Sequence, residues 1–492
     1  MPLPAPLGYK WTMPVKERVD PSEPVDAREY LAAQPPPHRI EGALERIQAL
    51  VAESGRHVAV VDDDPTGSQT VHGVPLLTTW GREELEWALD QPSGTFFVLT
   101  NSRSLSPDEA AQLNRDIAER LADIGKPVAV TSRSDSTMRG YFPLETDVLR
   151  AGLGVEVDGV VLCPCFIEPG RLTAGDVQWV RQGEQLVPSA QTEFARDRSF
   201  GYAHSNLALW VEEKTEGAVP ASEVASMTLA DLREGGPDRV AALLSEMSGA
   251  RPLVVNATEY SDLECFVLGL LAAEAAGKRF IYRTGPSFVR VRGGISESPP
   301  LTPEVLYATR PRQGHGLVVV GSHVEMTTRQ LEAARALERV HAIELSVPRL
   351  LDDDGRAGEL DSVVEEAGRA LGGEEVLVYT SRELAPADAG RSALDVGRSV
   401  SDALVEVVRR VAAEHPLGFV VAKGGITSSD VGTRGLGVRR AEIAGQMLPG
   451  IIPVWRLPEG SDHAGMPYVV FPGNVGDEGT LAQVIEILRG DG

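Results

Sequence analysis

Short apolar runs recur along the chain, each closing on a polar or glycine-rich loop, and most lead into a segment of helical spacing. In the first half, the runs at 58–61, 74–78, 95–100, 128–131, 157–162 and 252–257 read as strands. Segments 40–54, 82–89, 143–152 and 263–276 read as helices, and 221–249 as partly helical. The clearest helix is opened by Pro107, capped by Ser106 and stopped by Gly125. In the second half, strands are expected at 317–320, 341–345, 376–379, 418–422 and 469–471, with helices at 327–339, 361–371, 399–415 and from Thr480.

Strand, loop and helix in repetition predict parallel sheets flanked by helices. Two stretches break the rhythm. Residues 1–38 are rich in proline and read as an irregular arm that wraps a surface. Residues 177–217 carry scattered polar and aromatic positions and read as an insertion or lid. The Pro- and Gly-containing stretch 295–316 reads as a linker. The expected architecture is α/β, an arm at 1–39 and two domains, 40–294 and 317–492. Each domain is built on a mainly parallel sheet, with a cleft between them.

A length of 492 residues agrees with two domains or more. The net charge of −24 disfavours nucleic acid and anionic membranes as partners. It leaves room for an anionic ligand in a local basic pocket. Three cysteines, Cys163, Cys165 and Cys265, make no disulfide framework, and Cys163 and Cys165 read as buried thiols. No apolar run approaches the roughly 20 residues of a membrane span, and the start lacks the apolar core of a secretory signal. A cytoplasmic setting is expected, and a homodimer is left open.

Candidate chemistry collects in the loops after strands, where parallel sheets bind ligands. The run at 58–61 ends in Asp62, Asp63 and Asp64, followed by Pro65, Gly67, Ser68, Gln69 and Thr70. Like charges so placed repel, and a polyhydroxylated or metal-bound ligand would offset that; a solvated, helix-capping turn explains the triplet equally well. A second loop is dense in Arg133, Asp135, Ser136, Thr137 and Arg139, and Gly170-Arg171 adds a cation. Guanidinium groups fork onto carboxylates, while Asp, Ser and Thr suit hydroxyls, so the mixture fits a small hydroxylated acid. In the second half, Gly321-Ser322, residues 424–429 and Gly473-Asn474 follow strands. Their glycines let amides approach phosphate oxygens, which makes a nucleotide site and plain turns evenly matched readings. No Walker pattern is present, and Gly432–Gly437 does not follow a strand as a dinucleotide fingerprint must.

Taken together, these loops resemble the four-carbon acid sugar kinase family over roughly residues 56–488. Its D-D-x-T-G motif is matched by Asp63, Asp64, Thr66 and Gly67. K-x-D-S-T-x-R-G is matched by Asp135, Ser136, Thr137, Arg139 and Gly140, with Arg133 in place of lysine. C-P-x-F-x-x-x-G-R is matched by Cys163, Phe166, Gly170 and Arg171. The second-half motifs G-S, G-G-x-T-S and G-N-x-G fall on Gly321-Ser322, on Gly424, Gly425, Ile426, Thr427 and Ser428, and on Gly473-Asn474. Ile426 replaces a commonly acidic residue.

The resemblance implies ATP-dependent phosphorylation of a sugar acid such as a threonate, erythronate or 3-oxo-tetronate. Asp63 and Asp64 would meet substrate hydroxyls, one of them as base, with Asp135 as rival. Thr66, Arg133, Ser136, Thr137, Arg139 and Arg171 would bind the acid. Ser322, Gly424 through Ser428, Gly473 and Asn474 would bind ATP. Mg²⁺ would accompany the phosphates on ligands the motifs do not identify. The competing readings are an NAD-dependent hydroxy-acid dehydrogenase or epimerase, and a non-catalytic sugar-acid sensor.

Overall fold

The structure is a computed structural model. It describes residues 19–64, 67–322, 324–352, 354–381, 393–448, 451–473 and 475–490, with side chains of the 393–414 helix from 396 onward. Among the described residues, fifteen strands form one continuous sheet. The first half supplies Ala225–Met227, Arg251–Val255, Gly159–Cys163, Phe280–Thr284, Val128–Arg133, His57–Asp62, Thr95–Leu99 and Val74–Leu77, in that spatial order and all parallel. The second half ends the sheet with Pro467–Phe471, Val420–Lys423, Leu317–Val320, Glu375–Thr380 and Val340–Leu345, again all parallel. Val and Leu dominate these strands because both faces are covered by helices.

Two strands that the hydrophobic pattern did not reveal join the halves. Arg440–Gln446 pairs antiparallel with Val74–Leu77, and Pro453–Arg456 pairs antiparallel with both Arg440–Gln446 and Pro467–Phe471. In Arg440–Gln446 buried residues alternate with half-buried ones, so it lacks the continuous apolar run of its neighbours. One buried cluster accordingly runs across the boundary, from Val58, Val60 and Leu76 through Ile443 and Trp455 to Val319 and Val420.

The bridge sets how the halves face. Three antiparallel steps reverse the strand sense between them. In a flat sheet, the loops after the first-half strands would lie opposite those after the second-half strands. Six steps separate His57–Asp62 from Val420–Lys423. A twist of about 20–25° per step would turn the second half by roughly 120–150° and so offset much of that reversal. One electrostatic pairing spans the halves. Glu109, in the first turn of Pro107–Ile124, is held below the usual carboxyl range first by Ser106 and also by Arg398 of the 393–414 helix.

Residues 1–18 of the arm lie outside the described residues; its described part, 19–38, and the insertion are more ordered than their composition suggests. Arg171–Ala174, Val177–Gln182 and Gln185–Pro188 form an antiparallel meander, and Val25–Asp26 of the arm adds a fourth strand. The arm also contains a short helix, Ala27–Ala32, capped by Asp26. Asp20 accepts the amides of Ser205 and Asn206 at 2.9 Å each, tying the arm to the insertion. The Phe280–Thr284 strand and the helix Pro286–Arg292 are further elements that the pattern missed. Cys163 and Cys165 are buried free thiols, as read, and Cys265 is a third. Among the described residues no helix is long and apolar enough to cross a membrane.

Ile443 is fully buried at the centre of the bridge. Ile443→Ala is expected to lower unfolding free energy by about 3 kcal/mol, since it deletes buried methyl groups that the rigid sheet cannot replace. Urea unfolding followed by circular dichroism measures it.

Candidate active site

Register builds the first part of the site. Asp62 ends its strand directly opposite Arg133 on one neighbour and Leu99 on the other. Arg133 Nη1 donates to Asp62 Oδ1 at 3.0 Å, and the Asp64 amide donates to the same oxygen at 3.0 Å. Thr100 donates from its amide and its hydroxyl to the Asp62 carbonyl. Asp62 therefore shapes the turn, and burial pushes its carboxyl up to about 7 against the pull of Arg133. Gly67 is required here because a Cβ would overlap the Asp62 carboxylate and the Arg133 guanidinium.

Asp63 points into the site and is buried. Its partner is a residue the sequence reading passed over. Asn101 adopts a left-handed conformation and starts the tight turn Ser102–Ser104, which folds Arg103 back over the acidic loop. Arg103 Nε lies 3.2 Å from Asp63 Oδ1, Nη2 contacts Asp64, and Nη1 lies 3.9 Å from Asp135 Oδ1. One guanidinium thus serves three carboxylates from two loops. Burial raises Asp63, with Arg103 and Arg133 opposing. Burial also works on Asp135, but Arg103 and Arg139 outweigh it, and hydrogen bonds from Arg139 and Thr137 help hold it well below the ordinary range.

The 133–140 loop closes on this cluster. Arg139 Nε donates to Asp135 Oδ2 at 2.8 Å, and the Thr137 hydroxyl donates to the same oxygen. Gly140 has φ +116°, and a Cβ there would stand 2.9 Å from Asp63 Oδ2. Ser136 and Thr137 are buried, and the insertion takes their carbonyls: Gln178 donates to Ser136 O at 2.8 Å and Tyr202 to Thr137 O at 2.7 Å. Beneath the loop, Glu145 accepts from Ser102 at 2.6 Å and Ser132 at 3.2 Å, and burial raises its carboxyl. Arg283 is fully buried and donates to the Arg139 carbonyl at 3.0 Å. Like Arg103 and Glu145, it was absent from the sequence-derived set, because its strand was not foreseen. Thr66 lies outside the described residues.

The second-half loops also meet. Gly321, Gly424 and Gly473 pack around Ser322: a Cβ on Gly473 would lie 2.9 Å from Ser322 Oγ, and one on Gly424 3.3 Å from Ser322 Cβ. Thr327 Oγ1 donates to the Gly473 carbonyl at 2.8 Å, and Lys423 Nζ to the Pro472 carbonyl at 3.1 Å. Gly424 holds φ +122° and is followed by a helical turn, Gly425–Asp430. Thr427 is buried against Gly321, whereas Ile426 is 66% exposed. The Ser428 hydroxyl is spent on the Ala422 carbonyl at 2.6 Å. Asn474 lies outside the described residues. The two clusters are thus each assembled within one half.

Two domain families match the chain. A sugar-binding N-terminal domain covers residues 58–292, and a nucleotide-binding C-terminal domain covers 317–481. Over 459 residues the chain is 27% identical to a D-erythronate kinase of Heliobacterium modesticaldum, covering 88% of this chain and 97% of that protein. Over 445 residues it is 28% identical to a D-threonate kinase of Salmonella typhimurium, covering 87% and 97%. Among solved structures, one from Salmonella typhimurium superposes with a TM-score of 0.66 at 19% identity, covering 87% of this chain and 98% of that one.

Arg103→Ala would leave Asp63, Asp64 and Asp135 without their shared cation. The expected cost is about 3 kcal/mol of stability near pH 8. The folded variant would then bind more protons than its unfolded chain, so its stability should fall as pH rises and the deficit against wild type should shrink toward pH 5. Urea unfolding at both pH values tests this.

Proposed function

We propose that this chain, which belongs to the four-carbon acid sugar kinase family, uses ATP to phosphorylate a hydroxyl of a small sugar acid. Relatives named as D-erythronate and D-threonate kinases over nearly their whole length support a phosphotransferase over a dehydrogenase or a sensor. Within that class, a four-carbon aldonic acid is the substrate we propose.

The observation that carries the reading is the contrast between two carboxyls in one loop cluster, buried Asp63 and half-buried Asp135. Asp63 is raised by burial and Asp135 is depressed by two guanidinium groups. A general base works best when its pKa approaches the operating pH. We therefore assign Asp63 to the acceptor hydroxyl as base and give Asp135 the task of orienting Arg103 and Arg139. Arg103 faces Asp63 and Asp64, well placed to neutralise charge on the transferring phosphoryl group. Such transfer depends on positioning and charge neutralisation rather than on covalent participation by the protein.

In the second half, close packing at Gly321, Gly424 and Gly473 suits backbone approach to phosphates. Ser322 and the 424–427 amides are the proposed ATP contacts, with Ser428 retained as a buttress of the loop. Exposed Ile426 offers an apolar surface where family members carry an acid. Among the described residues no three metal-ligating side chains cluster. Mg²⁺ typically keeps several waters and takes much of its coordination from substrate phosphates. It is therefore proposed to enter with ATP.

The experiment is an ADP-release assay over a panel of four-carbon sugar acids. Asp63→Asn should lower kcat by about 10²–10⁴-fold with little change in KM for ATP. Wild-type activity should rise with pH across the ionisation of Asp63, because a base must be unprotonated to accept. Equal kcat in variant and wild type would remove the assigned role.

A further inference from the structure

Five arginines converge around the first-half loops, and their partners can be matched one by one. Arg133 holds Asp62, Arg103 holds Asp63 and Asp64, and Arg139 holds Asp135. Arg283 lies over the Trp210 ring, 4.9 Å from its centroid, and donates to a carbonyl. Arg171 differs: no ion pair or side-chain hydrogen bond to it is described, and its Nε is buried without a partner. Burial lowers its pKa, against the pull of Asp135 and Glu193, and nearby Arg139 adds to the lowering.

What Arg171 does have is an aromatic face. Phe194 lies in the turn Glu193–Arg196 of the insertion. The Arg171 guanidinium carbon is 5.6 Å from its ring centroid, and that of Arg139 is 5.1 Å from the same centroid. Two like charges are thus gathered on one ring despite their repulsion. Both ends of this arrangement are held. Gly170, at φ +73°, aims Arg171, and a Cβ there would stand 2.5 Å from Arg181 Cβ. The insertion is pinned to the 133–140 loop through Gln178 and Tyr202, and the arm pins the insertion through Asp20.

We propose that Phe194 sets the acid specificity of this site, its ring holding Arg139 and Arg171 as a paired receptor for the substrate carboxylate. The inference rests on the sugar-acid kinase reading and deepens it. Asp135 at 2.8 Å and Asp197 at 3.9 Å already temper Arg139. No ion pair to Arg171 is described, so its guanidinium is the one left to fork onto a substrate carboxylate. Arg103 touches both Asp135 and Asp63 and so links this receptor to the proposed base, toward which an acid gripped at its carboxylate would present its hydroxyls. Phe194 belongs to the stretch 177–217 that its polar and aromatic pattern set apart as an insertion or lid.

Full-length protein tests it with D-erythronate and D-threonate as probes. Phe194→Leu keeps apolar bulk but removes the π face, and Phe194→Tyr keeps the ring. The leucine variant should raise KM for the acid about 5- to 30-fold, with KM for ATP changed by less than about 2-fold and kcat little altered. The tyrosine variant should behave as wild type. Arg171→Lys retains charge without the fork and should also raise KM for the acid, which keeps the test valid if the leucine variant unfolds. Calorimetric titration of each acid in the absence of ATP should rank the proteins in the same order. Absence of acid-dependent ADP formation by wild type would overturn the kinase reading, while the titration still decides the receptor. Equal acid binding by wild type and the folded variants, or none by wild type, would overturn the receptor.

Discussion

Arg103 is the interaction on which the first half of the site depends. Asp63, Asp64 and Asp135 arrive from two different loops, and buried carboxylates cannot be held together without a shared counter-charge. A guanidinium has donors enough to face all three, which a lysine ammonium could not do with the same planar geometry. The left-handed residue at Asn101 and the tight turn after it exist to bring that cation back over the acidic loop. Once it is there, the two carboxyls diverge in character. Burial dominates at Asp63, whereas two guanidinium groups dominate at Asp135.

The larger constraint is the bridge between the halves. Two parallel sheets could have been joined by a loose linker alone. Instead, Arg440–Gln446 and Pro453–Arg456 extend one sheet through both, and the buried core runs across the junction. Reversed strand sense and accumulated twist then work together. Either alone would turn the two sets of loops away from each other; an ordinary strand twist summed over six steps would offset much of the reversal. The geometry suits a reaction in which one half presents an acceptor and the other a phosphate donor. Insertion and arm complete the acceptor side, the meander covering the 133–140 loop and the arm strand bracing the meander.

Much of this was legible beforehand. Buried parallel strands are continuous apolar runs, so most of their positions followed from pattern, and the Ser106 capping box and Gly125 stop were read where they occur. The elements missed had weaker local signals. Arg440–Gln446 alternates half-buried with buried positions, and Phe280–Thr284 contains Tyr282, Arg283 and Thr284 in a fully buried strand. Missing that strand hid Arg283. Arg103 follows the strand Thr95–Leu99 in a short polar loop, and nothing local distinguishes a cation destined for burial among carboxylates from one destined for solvent.

By itself the sequence determined where strands end, which loops are acidic, basic or glycine-rich, and hence the family and the chemistry those loops suit. Those properties are written in neighbouring residues, and short-range backbone preference and side-chain type suffice to read them. Only the tertiary structure decided which arginine meets which carboxylate, that Ser428 serves its own loop, and that Phe194 carries two guanidinium groups. These depend on sheet order, on a bridge more than 350 residues from its partner strand, and on burial. Each is a sum of distant contacts that no local stretch encodes.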